Sequence, residues 1–248
     1  MENNIKVTSY NNKKLYFFIT GLPGSGTTLM SRIMNSIDGS SSLCNPMRNM
    51  ISLNLKNNGL KDIDFEDPII NFASGYKKYI KKNSENIIGG LTETFSCIPS
   101  RINRNIIKSF DESDFMIFIL RNPLGNFNDW KRVSYNGDVK RLGNYNIFKT
   151  MYSQYIKFYN VMKKEKPCFL IKYEDLCENF STEWLNKKFD GYLKFDGELG
   201  KLHPLMGVGD EEAKYSYTIN GPYLGVDNLS KKDIKNISLL ESDYEKVI

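Results

Sequence analysis

The feature that most constrains the fold is an apolar run followed at once by a glycine-rich turn and then by helical periodicity. Residues Leu15–Thr20 spell LYFFIT, a continuous apolar segment typical of a buried parallel strand. The turn Gly21–Thr28 spells GLPGSGTT. Apolar side chains then recur at helical spacing at Leu29, Met30, Ile33, Met34 and Ile37. The order of strand, glycine loop and helix is the context in which such a turn binds phosphate.

Further apolar runs predict more strands of the same sheet. Phe115–Leu120 (FMIFIL) and Cys168–Ile171 (CFLI) have the composition of buried strands, and Asn86–Leu91 is a weaker candidate. Before Cys168, apolar residues at helical spacing indicate an amphipathic helix: Phe148, Met151, Tyr152, Tyr155, Phe158, Tyr159 and Met162. Strands that alternate with helices predict an α/β fold with a central parallel sheet flanked by helices and ligands at the carboxyl ends of the strands.

Three segments outside these elements have simpler assignments. Asp62–Asp67 is an acidic linker, and Ser134–Asn146 is rich in Gly, Asn and Tyr without periodicity, so both are predicted surface loops. Ser230 followed three residues later by Asp233 resembles a capping box. It predicts a last helix whose apolar residues face inward: Ile234, Ile237 and Leu240.

Length and composition are those of an ordinary globular protein. With 248 residues, 40% of them hydrophobic, we expect one domain over residues 1–248. The net charge of +5 is compatible with a phosphorylated partner, but the lysines are scattered and balanced by acids, as on a solvated surface. The nearest approach to a basic stripe, Tyr76–Lys82, is typical of an exposed helix face, so no nucleic acid partner is expected.

Residues that would indicate a metal site or a membrane segment are scarce. The four cysteines form no CxxC pair and there is one histidine, so no metal is expected. No apolar run approaches the roughly 20 residues of a membrane span, and the polar start MENNIKVTSYNNKK does not have the pattern of a signal peptide. The simplest interpretation is a cytoplasmic, reducing location, with a lumenal catalytic fragment as the alternative.

The composition of the glycine loop predicts how it would hold an anion. Its spacing is that of G-x-x-x-x-G-K-[ST], except that Thr27 stands at the lysine position of nucleotide triphosphatases. Glycines let backbone N–H groups turn inward, and a helix N-terminus adds partial positive charge. Because the lysine that neutralises the β and γ phosphates of ATP is missing, a less charged terminal group suits the loop better.

Three segments, in order along the chain, resemble the P-loop sulfotransferase family. FFITGLPGSGTTLMSRIMN, from Phe17 to Asn35, is similar to that family's 5′-phosphosulfate loop, PxSGTT followed by an apolar helix. FMIFILRNP resembles its strand ending in Arg-[DN]-Pro, the 3′-phosphate element, with Arg121 as the arginine. LIKYEDL, Leu170–Leu176, is similar to its [VL]-x-YEDL segment. A weaker similarity in GVGDEEAKYSYTI and LSKKDIKNI extends the match to about Ser238.

The resemblance implies a three-layer, sulfotransferase-like P-loop fold. It also implies transfer of a sulfuryl group from 3′-phosphoadenosine 5′-phosphosulfate (PAPS) to an acceptor hydroxyl or amine, without a metal. The bridging 5′-phosphate is assigned to Gly24, Ser25, Gly26, Thr27 and Thr28. Arg121 would grip the 3′-phosphate with its planar fork, and a surface ion pair is the alternative for this arginine.

The resemblance also directs attention to a catalytic base. The family's base is a histidine or glutamate just past a strand, and Glu93 in GGLTETF follows the weak strand candidate, whereas His203 lies far downstream. Glu93 is therefore the predicted base, and a solvent-facing carboxylate or a helix cap is the alternative. The acceptor is a small molecule, carbohydrate or peptide, and the sequence does not choose among them.

Two positions depart from the family's pattern. Gly24 stands where the family usually has Lys or Arg, and loss of one such donor costs on the order of 2.7 to 4 kcal/mol in the transition state. Four residues are candidates to supply the missing charge: Arg48, Arg101, Lys131 and Arg132. Asp129 replaces the family's serine on the 3′-phosphate, which a carboxylate would repel. Either the helix turns Asp129 away and Ser134 or an amide compensates, or the nucleotide has no 3′-phosphate.

Two other functions stay open because of these departures. GLPGSG is also a common opening of P-loop kinases, so a small-molecule kinase that uses ATP and Mg²⁺ is one alternative. It would need a lysine from another part of the chain. The other alternative is a non-catalytic nucleotide-binding or interaction protein that kept the fold.

Overall fold

The computed structural model describes residues 5–10, 13–44, 77–78, 81–82, 87–94, 112–136, 144–200, 202, 226–227 and 229–247. The strands, β1 to β7 in chain order, are Lys6–Ser9, Leu15–Gly21, Ser40–Cys44, Ile88–Thr94, Phe115–Leu120, Cys168–Lys172 and Leu193–Asp196. The helices, α1 to α6, are Thr27–Asn35, Pro123–Asn136, Tyr145–Glu165, Tyr173–Glu178, Thr182–Lys188 and Lys231–Lys246.

Five strands form a parallel sheet in the order β3-β4-β2-β5-β6. The strand that precedes the glycine loop, β2, therefore lies at the centre, between β4 and β5. A separate two-stranded sheet joins β1 to β7 in antiparallel orientation, with Lys6 opposite Asp196. The predicted α/β fold with a central parallel sheet flanked by helices is confirmed.

Both faces of the parallel sheet are covered. On one face Tyr16 and Phe18 of β2 pack with aromatic and apolar residues of α2, α3 and α6. On the other face Phe17 and Ile19 pack with apolar residues of α1, α5 and the β1–β7 pair. Because neither face meets water, a central strand needs a continuous apolar sequence, as LYFFIT and FMIFIL provide.

The strand β3 was not predicted, because its sequence SSSLC is mostly hydroxyl residues. Hydrogen bonds make these residues acceptable inside the fold. The Ser42 hydroxyl lies 2.9 Å from the hydroxyls of Ser31 and Thr92, and the Ser42 backbone N–H donates to Asn35 at 2.7 Å. A buried hydroxyl whose bonds are satisfied costs little, so this strand pairs with β4 despite its weak apolar pattern.

The weak strand at Asn86–Leu91 is shifted in the structure to Ile88–Thr94. Its glycines explain the faint signal. A side chain at Gly90 would collide with the backbone and ring of Phe17, so the close approach of β4 to β2 requires glycine at this position. The consequence for the site is that Glu93 lies inside the strand instead of after it.

The predicted loop between α2 and α3 and the predicted buried side of α6 both need correction. Ser134–Asn136 continue α2 and Tyr145–Asn146 begin α3, so the predicted loop at Ser134–Asn146 is wrong at both ends. The capping box of Ser230 and Asp233 at the start of α6 is confirmed. Its buried stripe, however, consists of Ile237, Leu240 and Tyr244, while Ile234 is 36% exposed. The stripe begins one turn later than predicted.

Asp62–Asp67 and His203 lie outside the described residues. No helix in the described ranges combines the length and apolar character needed to cross a bilayer. Among the described residues, Cys168 and Cys177 are not in disulfides.

Candidate functional site

The carboxyl ends of β4, β2 and β5 lie side by side and bring three predicted site elements to one edge of the sheet. The glycine loop follows β2, Arg121 follows β5, and Glu93 lies near the end of β4. In the parallel registers, Thr20 is opposite both Glu93 and Phe118. The edge predicted for ligands is therefore the edge where these residues meet.

Two glycines of the loop have left-handed backbone conformations. Gly24 has φ 77° and Gly26 has φ 101°, both in the left-handed region that favours glycine. A Cβ atom at Gly24 would lie 2.8 Å from Cβ of Asp129, and one at Gly26 would collide with the Tyr173 ring. Glycine is therefore required at both positions for two reasons: the backbone conformation is left-handed, and there is no space for a side chain.

The helix that follows the loop presents an uncapped N-terminus. Gly26 is the N-cap residue, its carbonyl accepts from Met30 at 3.1 Å, and no side chain among the described residues caps α1. The first turn contains no acid. The N–H groups of a first turn have no acceptor inside their own helix, and they carry the positive end of the helix dipole. This end of α1 is suited to an anion.

Ser25 contributes a buried hydroxyl at the same place. Its backbone N–H donates to Leu22 at 3.0 Å and closes the turn. Its side-chain oxygen is buried beside Gly21 and has no hydrogen-bond partner among the described residues. Buried hydroxyls are normally satisfied, so an unpartnered one beside the N-terminus of α1 is consistent with a partner supplied by a ligand.

Arg121 is enclosed beside the loop and is only 2% exposed. Its Nη1 donates to the carbonyl of Gly24 at 2.7 Å and forms an ion pair with Oδ2 of Asp129. The guanidinium carbon lies 4.3 Å from the centroid of the Tyr173 ring, and a Cβ at Gly125 would lie 3.2 Å from Nε. The alternative in which α2 turns Asp129 away is therefore not what the structure shows. Asp129 faces Arg121 and neutralises it.

A second residue of α2 holds the neighbouring peptide of the loop. Nδ2 of Asn126 donates to the carbonyl of Pro23 at 2.6 Å, and Asn126 is almost fully buried. Two consecutive loop carbonyls, those of Pro23 and Gly24, are thus bonded to side chains of the β5–α2 unit. The sequence did not predict this role for Asn126, which no motif singles out.

The YEDL segment lies against the same arginine. The Tyr173 ring contacts Arg121 and Gly26, as described above, and burial raises the pKa of its phenol to about 12, with a further increase from Cys177. Oε1 of Glu174 accepts from the backbone N–H of Asn122 at 3.0 Å, and Oε2 accepts from the hydroxyl of Tyr244 at 2.9 Å. The segment supports the turn that carries Arg121. The sequence singled out this segment through its similarity to the [VL]-x-YEDL motif.

Tyrosines of α3 fix the ends of the two central strands. The hydroxyl of Tyr152 donates to the carbonyl of Arg121 at 2.9 Å, and that of Tyr155 contacts the carbonyls of Thr20 at 2.8 Å and Ile119 at 3.1 Å. Burial raises the pKa of both phenols, so they stay protonated and act as donors. These aromatic residues are core residues that support the site.

The other predicted residues are only partly described. The backbone of Glu93 is placed in β4, and its side chain lies outside the described part of the structure. Among the four candidate cations, Lys131 donates to Oδ2 of Asp233 at 2.9 Å, which engages it at the start of α6. The side chain of Arg132, as well as Arg48 and Arg101, lies outside the described residues.

Comparison with known proteins yields only distant likeness. No protein-family model matches the chain, and no curated protein matches its sequence. Among solved structures, deoxyadenosine kinase from M. mycoides with bound dCTP is similar at 14% identity and a TM-score of 0.38, over 64% of this chain and 91% of that chain. The structure of deoxyadenosine kinase from M. mycoides with bound dATP gives 16% identity and a TM-score of 0.36, over 64% and 92%. Likeness of this extent is no guide to function, and the assignment of a P-loop type α/β fold rests on the sheet and loop themselves.

Proposed function

We propose that the chain binds the phosphate end of a nucleotide at the loop Gly21–Thr28 and uses that nucleotide as the donor in a group transfer. The observation that carries the proposal is the N-terminus of α1, which no described side chain caps and which follows two left-handed glycines at the end of the central strand. Backbone N–H groups and a helix dipole suit an anion. The Ser25 hydroxyl has no partner in the described part of the chain, and the first turn of α1 contains no acid. Both observations support the same use.

Transfer of a sulfuryl group from PAPS is the reaction that the loop composition favours. The loop offers backbone donors without a lysine, which suits a terminal group less charged than the γ-phosphate of ATP. In this reaction the acceptor oxygen or nitrogen attacks sulfur in line. The bond from sulfur to the bridging oxygen breaks, and 3′-phosphoadenosine 5′-phosphate leaves with the electron pair. The proton of the acceptor passes to a base, for which Glu93 is our candidate because β4 ends beside the loop.

Transfer of a phosphoryl group from ATP with Mg²⁺ is the second candidate, and one observation favours it. The positive charge of Arg121 is already neutralised by Asp129 without a 3′-phosphate. A 3′-phosphate at this place would meet the carboxylate as well as the guanidinium, and like charges repel. The ion pair therefore favours a nucleotide that lacks the 3′-phosphate.

Calorimetric titration separates these possibilities. We expect binding of 3′-phosphoadenosine 5′-phosphate without metal if the donor is PAPS, and binding of ATP that depends on Mg²⁺ if the protein is a kinase. A chain that binds neither nucleotide, nor ADP, is an interaction protein, and the proposal fails.

A loop variant shows whether binding uses this site. Gly26→Ala should abolish nucleotide binding, because the new side chain meets the Tyr173 ring and φ 101° is unfavourable for alanine. Gly191→Ala is the matched control, since Gly191 has φ 75° but open space around a Cβ. Circular dichroism verifies that both variants are folded. Equal affinity in the two variants would place the nucleotide elsewhere.

A further inference from the structure

The anion-binding face of a loop depends on which way its carbonyl groups point. In a planar trans peptide the C=O and N–H groups point in opposite directions, so a fixed carbonyl also fixes the adjacent N–H. Carbonyl oxygens that turned toward the ligand would repel a phosphate. Loops with glycine change peptide orientation easily, because glycine tolerates conformations that other residues avoid.

Two loop carbonyls are held on the side of α2. Asn126 donates to the carbonyl of Pro23 at 2.6 Å, and Arg121 donates to the carbonyl of Gly24 at 2.7 Å. The peptide between Pro23 and Gly24 therefore directs the N–H of Gly24 away from Asn126. Both donors are buried, at 1% and 2% exposure, so water does not compete for these bonds.

Asp129 and Tyr173 hold the arginine in the orientation that this bond requires. Nη1 is shared between the Gly24 carbonyl and the Asp129 carboxylate, and the Tyr173 ring lies against the guanidinium plane. The carboxylate makes burial of the arginine charge possible. A guanidinium that is enclosed on these sides presents little surface to a ligand.

We propose that Arg121, Asn126 and Asp129, here called the loop clamp, are positioning residues that keep the loop carbonyls turned away from the phosphate. They act through the loop and do not contact the nucleotide. This inference rests on the proposed function, because it concerns the affinity of the same loop. It changes the role expected for Arg121 from a ligand of the 3′-phosphate to a support of the 5′-phosphate site.

The two roles make different predictions for two nucleotides. Calorimetry with ADP and with 3′-phosphoadenosine 5′-phosphate would compare the wild type with Asn126→Ala and Arg121→Lys. Asn126→Ala removes the donor to Pro23, and Arg121→Lys keeps the charge but loses the planar fork. If these residues position the loop, each variant loses affinity for both nucleotides by the same factor, on the order of threefold to tenfold per lost bond.

The control is Asn186→Ala, which removes a similar bond far from the loop. Nδ2 of Asn186 donates to the carbonyl of Phe195 at 2.9 Å. This variant should lower the melting temperature and leave both affinities unchanged. The clamp variants would give the same result if the clamp only stabilised the fold. Asn126→Ala provides the test on its own if Arg121→Lys does not fold.

Three outcomes contradict the inference. A loss confined to the bisphosphate in Arg121→Lys would make the arginine a 3′-phosphate ligand. Unchanged affinities in Asn126→Ala would show that the loop holds its shape without the clamp. Failure of the wild type to bind ADP, 3′-phosphoadenosine 5′-phosphate or ATP with Mg²⁺ would overturn the proposed function and the clamp together. Titration of the wild type shows this before any variant is made.

Discussion

Arg121 and Asp129 place two opposite charges in the interior, beside a loop that is itself built from uncharged residues. The guanidinium is 2% exposed and the carboxylate side chain 12%. Transfer of charges from water is expensive, and their attraction offsets the cost only while both partners are present. The stability of the fold therefore requires an acidic residue at position 129 whenever position 121 is arginine. The sequence marked Asp129 as a departure, but its partner became evident only from the structure, since Arg121 precedes the helix that carries Asp129.

Removal of one charge tests this dependence. Asp129→Ala should lower the free energy of unfolding by about 3 kcal/mol, because it leaves the guanidinium buried without a counter-charge. Urea denaturation followed by circular dichroism measures the change. The double variant Arg121→Met/Asp129→Leu should be more stable than Asp129→Ala, since it removes both charges. A cost below about 1 kcal/mol in Asp129→Ala would be that of a surface pair and would contradict this account.

Some helices and strands could be predicted from a local sequence pattern, and others could not. The central strands β2 and β5 were predictable from their apolar runs, and α3 from its periodicity, because burial on both faces or along one stripe is visible in the sequence. The strand β3 was not, since hydrogen bonds between distant hydroxyls support it. The pairing of β1 with β7 was also missed, because four-residue strands so far apart in sequence carry no joint pattern.

The N-terminus of α6 is stabilised by interactions that depend on pH. Asp233 accepts from the backbone and hydroxyl of Ser230 and from Lys131. Burial alone would raise its pKa, but these hydrogen bonds and the Lys131 charge outweigh burial and lower it. A carboxylate with a lowered folded-state pKa stabilises the fold above its unfolded pKa, near about 3.9, and this contribution is lost as pH falls through the folded value.

Asp233→Asn should therefore destabilise the protein by about 1 kcal/mol near neutral pH, because it loses the charge at the helix start and the partner of Lys131. The difference from the wild type should shrink as pH falls below about 4. Urea denaturation at several pH values measures both effects. Glu245→Gln, at an exposed position of the same helix, is the matched control and should show little change. A difference that stayed constant with pH would assign the cost to lost packing instead.

Across the whole molecule, the loop, the YEDL segment and the last helix form one connected unit. Glu174 links the turn after β5 to Tyr244 of α6, while Tyr173 contacts both Arg121 and Gly26. The sequence predicted the glycine loop between a strand and a helix, because that turn follows from its glycines and from the start of the helix. It did not predict how these parts join, since the contacts come from residues that are distant in the chain.

A ligand that binds the folded protein alone should stabilise the whole of this unit. At a nucleotide concentration of 100 times Kd, we expect about 2.7 kcal/mol of added stability. For a chain of this size that corresponds to an increase of roughly 5 to 11 °C in Tm. Thermal denaturation with and without the nucleotide identified by calorimetry measures it, with Gly26→Ala as the control that should show no increase. An equal increase in that variant would contradict binding at the loop.

The pairing of β1 with β7 has a consequence for biosynthesis. Lys6–Ser9 leave the ribosome well before their partner Leu193–Asp196, which follows only after the parallel sheet has been translated. Until then, the described backbone hydrogen bonds that hold this end of the chain are those of Val7 and Ile5 with Asp38. The edge of β1 therefore stays open while the residues between β1 and β7 are synthesised, a period in which a chaperone or a neighbouring polypeptide could occupy that edge first.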